Sequence, residues 1–132
     1  MTITADTNLL VRVITRDDLP QSRLAEAELA KAELVALPLT VLCELAWTLS
    51  HGYKLTSAEI AEAVRYLTDS SKVVVDRPAA EAGLRMMDAG GDFADGVIAH
   101  EGRWLGADEF VSFDRKAVRL IQEQGGRARL LS

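Results

Sequence analysis

Residues 2–14 read Thr2-Ile3-Thr4-Ala5-Asp6-Thr7-Asn8-Leu9-Leu10-Val11-Arg12-Val13-Ile14, and this opening decides the fold. Thr2 to Ala5 is short and β-prone, and Asp6-Thr7-Asn8 reads as a strand end running into a helix N-cap. Leu9, Leu10, Val13 and Ile14 then recur at helical spacing. Asp17-Asp18-Leu19-Pro20 breaks the pattern, and Pro20 suits the first turn of a second helix through the Ala-, Glu- and Leu-rich residues 21–33.

The same alternation continues outward. Leu34-Val35-Ala36-Leu37, ending at Pro38, reads as a strand. Thr40 begins a very apolar helix, Val41 to Leu49, that His51-Gly52 ends. Thr56 and Glu59 form a plausible capping box for an amphipathic helix to about Thr68. Val73-Val74-Val75-Asp76 reads as a third strand. Pro78 to Asp88 and Asp92 to Arg103 read as helices separated by Gly90-Gly91. Phe110 to Phe113 is a strand, Asp114 opens a helix through Gln122, and residues 127–131 form a last, edge strand. Short, apolar, β-branched strands separated by helices imply parallel pairing through helical crossovers, hence a three-layer α/β/α sandwich around a short, mainly parallel central sheet. With no repeat, linker or low-complexity segment, residues 1–132 are expected to form a single domain.

Composition narrows the function. Hydrophobic residues make up 48% and charged residues 27%, an ordinary globular balance. The net charge is −5 and the pI about 5.0, which argues against a simple basic nucleic-acid binder. The single cysteine, Cys43, cannot form an intrachain disulfide and sits in an apolar run as a small core residue would. No Cys-x-x-Cys pair or His-rich tract suggests zinc. The N-terminus lacks signal-peptide regions and no apolar run reaches membrane-span length, so a cytoplasmic protein with no membrane association is expected.

The chemistry-bearing residues are acids. In an open parallel sheet, ligands bind beyond the carboxyl ends of the strands. Asp6 and Asp114 each follow a predicted strand, and each also fits as a helix N-cap. Glu44 lies in Val41-Leu42-Cys43-Glu44-Leu45-Ala46-Trp47, a helix apolar on every side and expected to be buried. A buried carboxylate needs a positive partner, either an Arg or Lys or a metal ion. Asp92 and Asp95 share one helix face, with Asp92 as N-cap and Asp95 one turn in, where the helix dipole alone would favour an acid. If Asp6, Glu44, Asp95 and Asp114 converge, they cannot all stay ionised without compensation. Mg²⁺ or Mn²⁺ would supply it through hard oxygen ligands and could activate water against a phosphodiester. No Gly-x-Ser-x-Gly elbow is present to suggest nucleophilic catalysis instead.

Taken together, Ala5-Asp6-Thr7-Asn8-Leu9-Leu10-Val11-Arg12, Val41 to Trp47, Asp92-Phe93-Ala94-Asp95-Gly96-Val97-Ile98-Ala99 and Phe110-Val111-Ser112-Phe113-Asp114 resemble the PIN-domain nucleases, and within them the VapC-type toxins of bacterial toxin–antitoxin pairs. The resemblance implies that Asp6, Glu44, Asp95 and Asp114 are the catalytic, metal-binding acids. It implies that Thr7, Asn8, Asp92 and Ser112 support them by orienting carboxylates or water. It implies Mg²⁺- or Mn²⁺-dependent endoribonuclease cleavage of a structured RNA such as tRNA or rRNA, a cognate antitoxin as partner, and a homodimer. Gly96 departs from the family, which often has a helix former there, and is expected to weaken its helix slightly. Arg12, Arg16, Arg23, Arg115, Lys116 and Arg119 lie on helices following the strand-end acids, where they could hold phosphates or merely be solvated. Trp47 and Trp104 could stack bases, although buried packing or a dimer contact would explain either.

Two other enzyme classes fit poorly. A haloacid-dehalogenase-like phosphatase needs a second Asp two residues after the first, where this chain has Asn8. A dinucleotide-binding domain needs a Gly-rich turn that Asp6-Thr7-Asn8 does not offer. A catalytically silent PIN-like module that binds RNA or protein is the non-enzymatic alternative.

Overall fold

The computed structural model describes residues 1–132, which form two compact units, Met1–Asp76 and Arg77–Ser132. The division falls in a short strand-to-helix junction, so composition carries no mark of it.

In the first unit, β1 (Thr2–Thr4), β2 (Leu34–Ala36) and β3 (Val73–Val74) pair in parallel in that order. Parallel neighbours need long crossovers. Here α1 (Thr7–Thr15) and α2 (Leu19–Lys31) connect β1 to β2, and α3 (Leu39–His51) and α4 (Ser57–Thr68) connect β2 to β3. The helix ends follow the sequence closely. Asp18 caps α2 by accepting from the Gln21 N–H, with Pro20 in the first turn. Thr56 and Glu59 complete the expected capping box at α4, with both reciprocal hydrogen bonds formed. Leu10, Leu42, Leu45, Leu49, Ile60 and Val64 are fully buried. Buried Ser22 donates to the Arg12 carbonyl at 2.8 Å, so the one fully buried polar side chain is satisfied where α1 meets α2.

The second unit contains α5 (Arg77–Asp88), α6 (Phe93–Trp104), β4 (Phe110–Ser112), α7 (Arg115–Glu123) and β5 (Ala128–Leu130). β4 and β5 pair in parallel through α7, confirming the last strand expected over residues 127–131. The expected mixed α/β architecture with short parallel strands is therefore present. Its strands form two hydrogen-bonded sets, one of three and one of two.

The helix over Val41 to Leu49 corrects the sequence reading. It is not apolar all round. Val41, Leu42, Leu45, Ala46 and Leu49 are buried, while Thr40, Glu44, Trp47 and His51 are exposed along one face. Glu44 is thus not a buried carboxylate, and no Arg or Lys pairs with it.

Gly96 also reads differently in three dimensions. A Cβ built there would stand 2.4 Å from the Ala82 carbonyl oxygen and 2.9 Å from Gly83 Cα. A Cβ at Gly83 would strike the buried Phe93 ring at 2.6 Å. Two glycines therefore let α5 and α6 approach closely, with Phe93 filling the notch. The helix-propensity gain of about 1 kcal/mol from Ala competes with overpacking, which costs about 1–3 kcal/mol. Because the obstacle is backbone, which cannot swing away, the clash should win. Gly96→Ala is expected to lose about 1–2 kcal/mol net in urea denaturation. A variant as stable as the parent would show that the helices separate at no cost.

Candidate active site

The tip of β1 carries the first group. Asp6 stands at the N-cap of α1, yet its side chain makes no cap hydrogen bond, so the capping explanation does not account for it. Its carboxylate is exposed at the carboxyl end of the strand. The next residue, Thr7, is 8% exposed and turns its hydroxyl to α3, donating to Glu44 Oε1 at 2.9 Å. This contact joins residues 37 apart in sequence. It also answers the question posed by Glu44, whose partner is a neutral donor that orients the carboxylate and leaves its charge in place. Asn8 is exposed on the first turn of α1 beside them.

The second unit carries the second group. Asp95 is partly buried in the first turn of α6. Burial raises its pKa above the ordinary carboxylate value, and the charges of Asp92 and Asp114 push it further in the same direction. Asp92 occupies the expected N-cap position of α6 without a side-chain cap bond. Asp114 does cap α7, since Asp114 Oδ1 accepts from the Ala117 N–H at 3.0 Å. Capping engages only that oxygen. Ser112 shapes the approach, its hydroxyl accepting from the Asp114 N–H at 2.9 Å. The charges of Asp92 and Asp114 therefore both reach Asp95.

Neither unit gathers three Asp, Glu, His or Cys side chains tightly enough to cage an ion outright. The donors are nevertheless hard oxygens, and Asp95 is held where a cation would relieve it. Mg²⁺ keeps most of its waters and uses only one or two carboxylates, so a loose oxygen-only set fits a hydrated divalent ion and not a zinc cage.

The basic residues divide into two kinds. Arg12 is committed to the fold: its Nε donates to Gln21 Oε1 at 2.7 Å and its Nη1 to Asp17 Oδ1 at 3.1 Å. The Tyr53 hydroxyl closes this network, donating to Asp17 Oδ2 at 2.6 Å. The hydroxyls of Tyr53 and Thr15, together with Arg12, hold the Asp17 carboxyl below its ordinary range. Arg16 pairs with Glu26. Arg115 and Lys116 are exposed and make no ion pair. Of the six basic residues expected near phosphate, Arg12, Arg16 and Arg119 are paired within the chain, while Arg23, Arg115 and Lys116 form no ion pair. Trp47 and Trp104 are 63% and 85% exposed, so buried packing accounts for neither.

The PIN domain family model matches residues 3–121, and the chain belongs to the PIN domain family. Its members have a nuclease-type fold, are generally metal-dependent nucleases and typically use divalent ions. The match spans β1 through most of α7, and so includes every acid described above. No curated protein matches the chain.

The Asp95 shift has a measurable consequence. A carboxyl whose folded pKa lies above its unfolded value costs the native state stability once ionised. The cost is absent below the ordinary value of 3.8 and grows as pH rises through the folded pKa. Asp95→Asn should therefore raise the thermal midpoint of the metal-free protein at pH 7, with the gain shrinking as pH falls toward 4. An unchanged or lowered midpoint at pH 7 would show that Asp95 is not under electrostatic strain.

Proposed function

We propose that the protein is a divalent-metal-dependent endoribonuclease, one PIN-like domain over residues 1–132, that acts on structured RNA as the toxin of a toxin–antitoxin pair. The observation that carries the nuclease part is the hydrogen bond from Thr7 to Glu44, which draws a second acid to the strand end bearing Asp6. The bond satisfies the buried Thr7 hydroxyl and at the same time fixes an exposed carboxylate. Such an arrangement suits a carboxylate that must hold one orientation.

In this reading Asp6, Glu44, Asp95 and Asp114 hold Mg²⁺ or Mn²⁺. The bound ion supplies Lewis-acid polarisation of the phosphodiester and lowers the pKa of water. The chain's own groups do the positioning. Thr7 fixes Glu44, Ser112 and the α7 cap fix Asp114, and Asn8 and Asp92 offer further polar atoms to water or substrate. Arg115 and Lys116 hold phosphates. The acidic pI fits this role in part, because the site's own carboxylates contribute to the negative excess. A cognate antitoxin that occupies the acidic site, a homodimer and a cytoplasmic location complete the proposal. They rest on the VapC-type motifs in the sequence. No helix is long and apolar enough to cross a membrane.

Purified protein should cleave tRNA or rRNA with Mg²⁺ or Mn²⁺ present and not in EDTA. Asp6→Asn and Asp95→Asn should each lower the rate on the order of a hundredfold or more. If parent and variants leave RNA equally intact, the chain is a silent PIN-like binding module. For the toxin role, expression without a partner should arrest growth, and Asp6→Asn should abolish the arrest. Sequencing RNA 5′ ends after a brief pulse of expression would then show the cut sites. Harmless expression of the intact chain would refute the toxin assignment.

A further inference from the structure

The exposed face of α3 carries more than Glu44. Thr40, Glu44, Trp47 and His51 follow at intervals of four, three and four residues and so share one side of the helix. The indole of Trp47 is 63% exposed and lies over the His51 ring, with centroids 4.6 Å apart and planes 18° from parallel. His51 Nδ1 stands 3.1 Å from the Trp47 carbonyl oxygen. A carbonyl can only accept, so Nδ1 carries the hydrogen and Nε2 is left available to another group. The Trp47 indole N–H donates to nothing in the chain. Two stacked rings thus stand in solvent with unused polar atoms, one helical turn from a carboxylate that a buried hydroxyl holds in place.

We propose that the Trp47–His51 pair is a base-stacking subsite for an unpaired nucleotide of the RNA substrate, the one next to the nucleotide handled at Glu44; this rests on the ribonuclease reading above. Three residues of helix advance about 4.5 Å along the axis, within the span of one nucleotide. Every base has a π-face, so an aromatic platform binds RNA without reading its sequence. Stacking also meets a need of this chain. Its net charge is −5, so an attraction to the bases that does not depend on phosphate contacts adds to what its cations supply.

A protein occupant fits this face less well. Thr40, Glu44 and His51 flank the indole, and an apolar partner would desolvate the Glu44 carboxylate without pairing it. A second copy of the chain, joined symmetrically through this face, would bring like charges together.

The test uses the full chain with Asp95→Asn, so that RNA survives in Mg²⁺, and Trp104→Phe, so that Trp47 is the sole indole. A single-stranded oligouridylate should quench Trp47 fluorescence, and an abasic strand of equal length should not. Trp47→Ala, followed by fluorescence anisotropy of labelled RNA, should raise Kd on the order of tenfold. Trp47→Phe, which keeps a stacking ring, should lose markedly less, and Trp104→Ala in the otherwise Asp95→Asn chain should leave Kd unchanged. Equal Kd for Trp47→Ala and its parent overturns the subsite. So does a change of oligomeric state on Trp47→Ala with RNA affinity intact, which would make the face an interface between copies. If the native chain binds and cleaves RNA while the Trp47 variants match their parent, the stacking subsite alone fails. If the chain neither binds nor cleaves RNA, the ribonuclease reading fails and the subsite falls with it.

Discussion

The hydrogen bond from the Thr7 hydroxyl to Glu44 Oε1 ties the carboxyl end of β1 to the second turn of α3. Its chemistry explains much of the first unit. Thr7 must be buried to reach across, so α1 has to start immediately after the strand and pack its first turn inward. Glu44 is exposed, and α3 turns its apolar face, with Leu42, Leu45 and Leu49, away from it. A guanidinium in place of the hydroxyl would have oriented the carboxylate equally well while neutralising it. The neutral donor keeps the full charge for whatever binds there.

The second unit reaches a similar end by another route. Here no hydroxyl orients the central acid. Asp95 is placed by the start of α6, and the close approach of α5 and α6 at Gly83 and Gly96 sets where that start lies. Partial burial and two neighbouring acids then leave the carboxyl short of compensation. The cost falls on the fold, and relief can come from protonation or from a cation.

Charge takes on a different meaning across the chain once positions are known. Arg12 and Arg16 are occupied in holding turns together, through Asp17, Gln21, Tyr53 and Glu26. The lysine of β3's approach is likewise spent, since Lys72 Nζ donates to the Leu29 and Ala30 carbonyls at the end of α2. Arg23, Arg115, Lys116 and Arg127 are exposed and form no ion pair within the chain.

Much of the molecule was legible in the sequence because it rests on local rules. Short, apolar, β-branched runs marked the strands, and helical spacing, helix-forming residues and breakers marked the helices. Thr56 with Glu59, Asp18 with Pro20, and Asp114 after a strand marked helix starts through chemistry that acts over three or four residues. The ordered acids, with the motifs around them, pointed to the PIN domain before any contact was known. Tertiary structure decided what local rules cannot reach. The donor that orients Glu44 is Thr7, 37 residues away, and Arg12 is held in part by Tyr53, 41 residues away. The apolar residue names around Glu44 suggested burial on every side, yet Trp47 faces solvent because α3 has only one buried face to offer. Gly96 looked like a weak point in a helix; only the backbone of α5, packed against it, makes it a requirement.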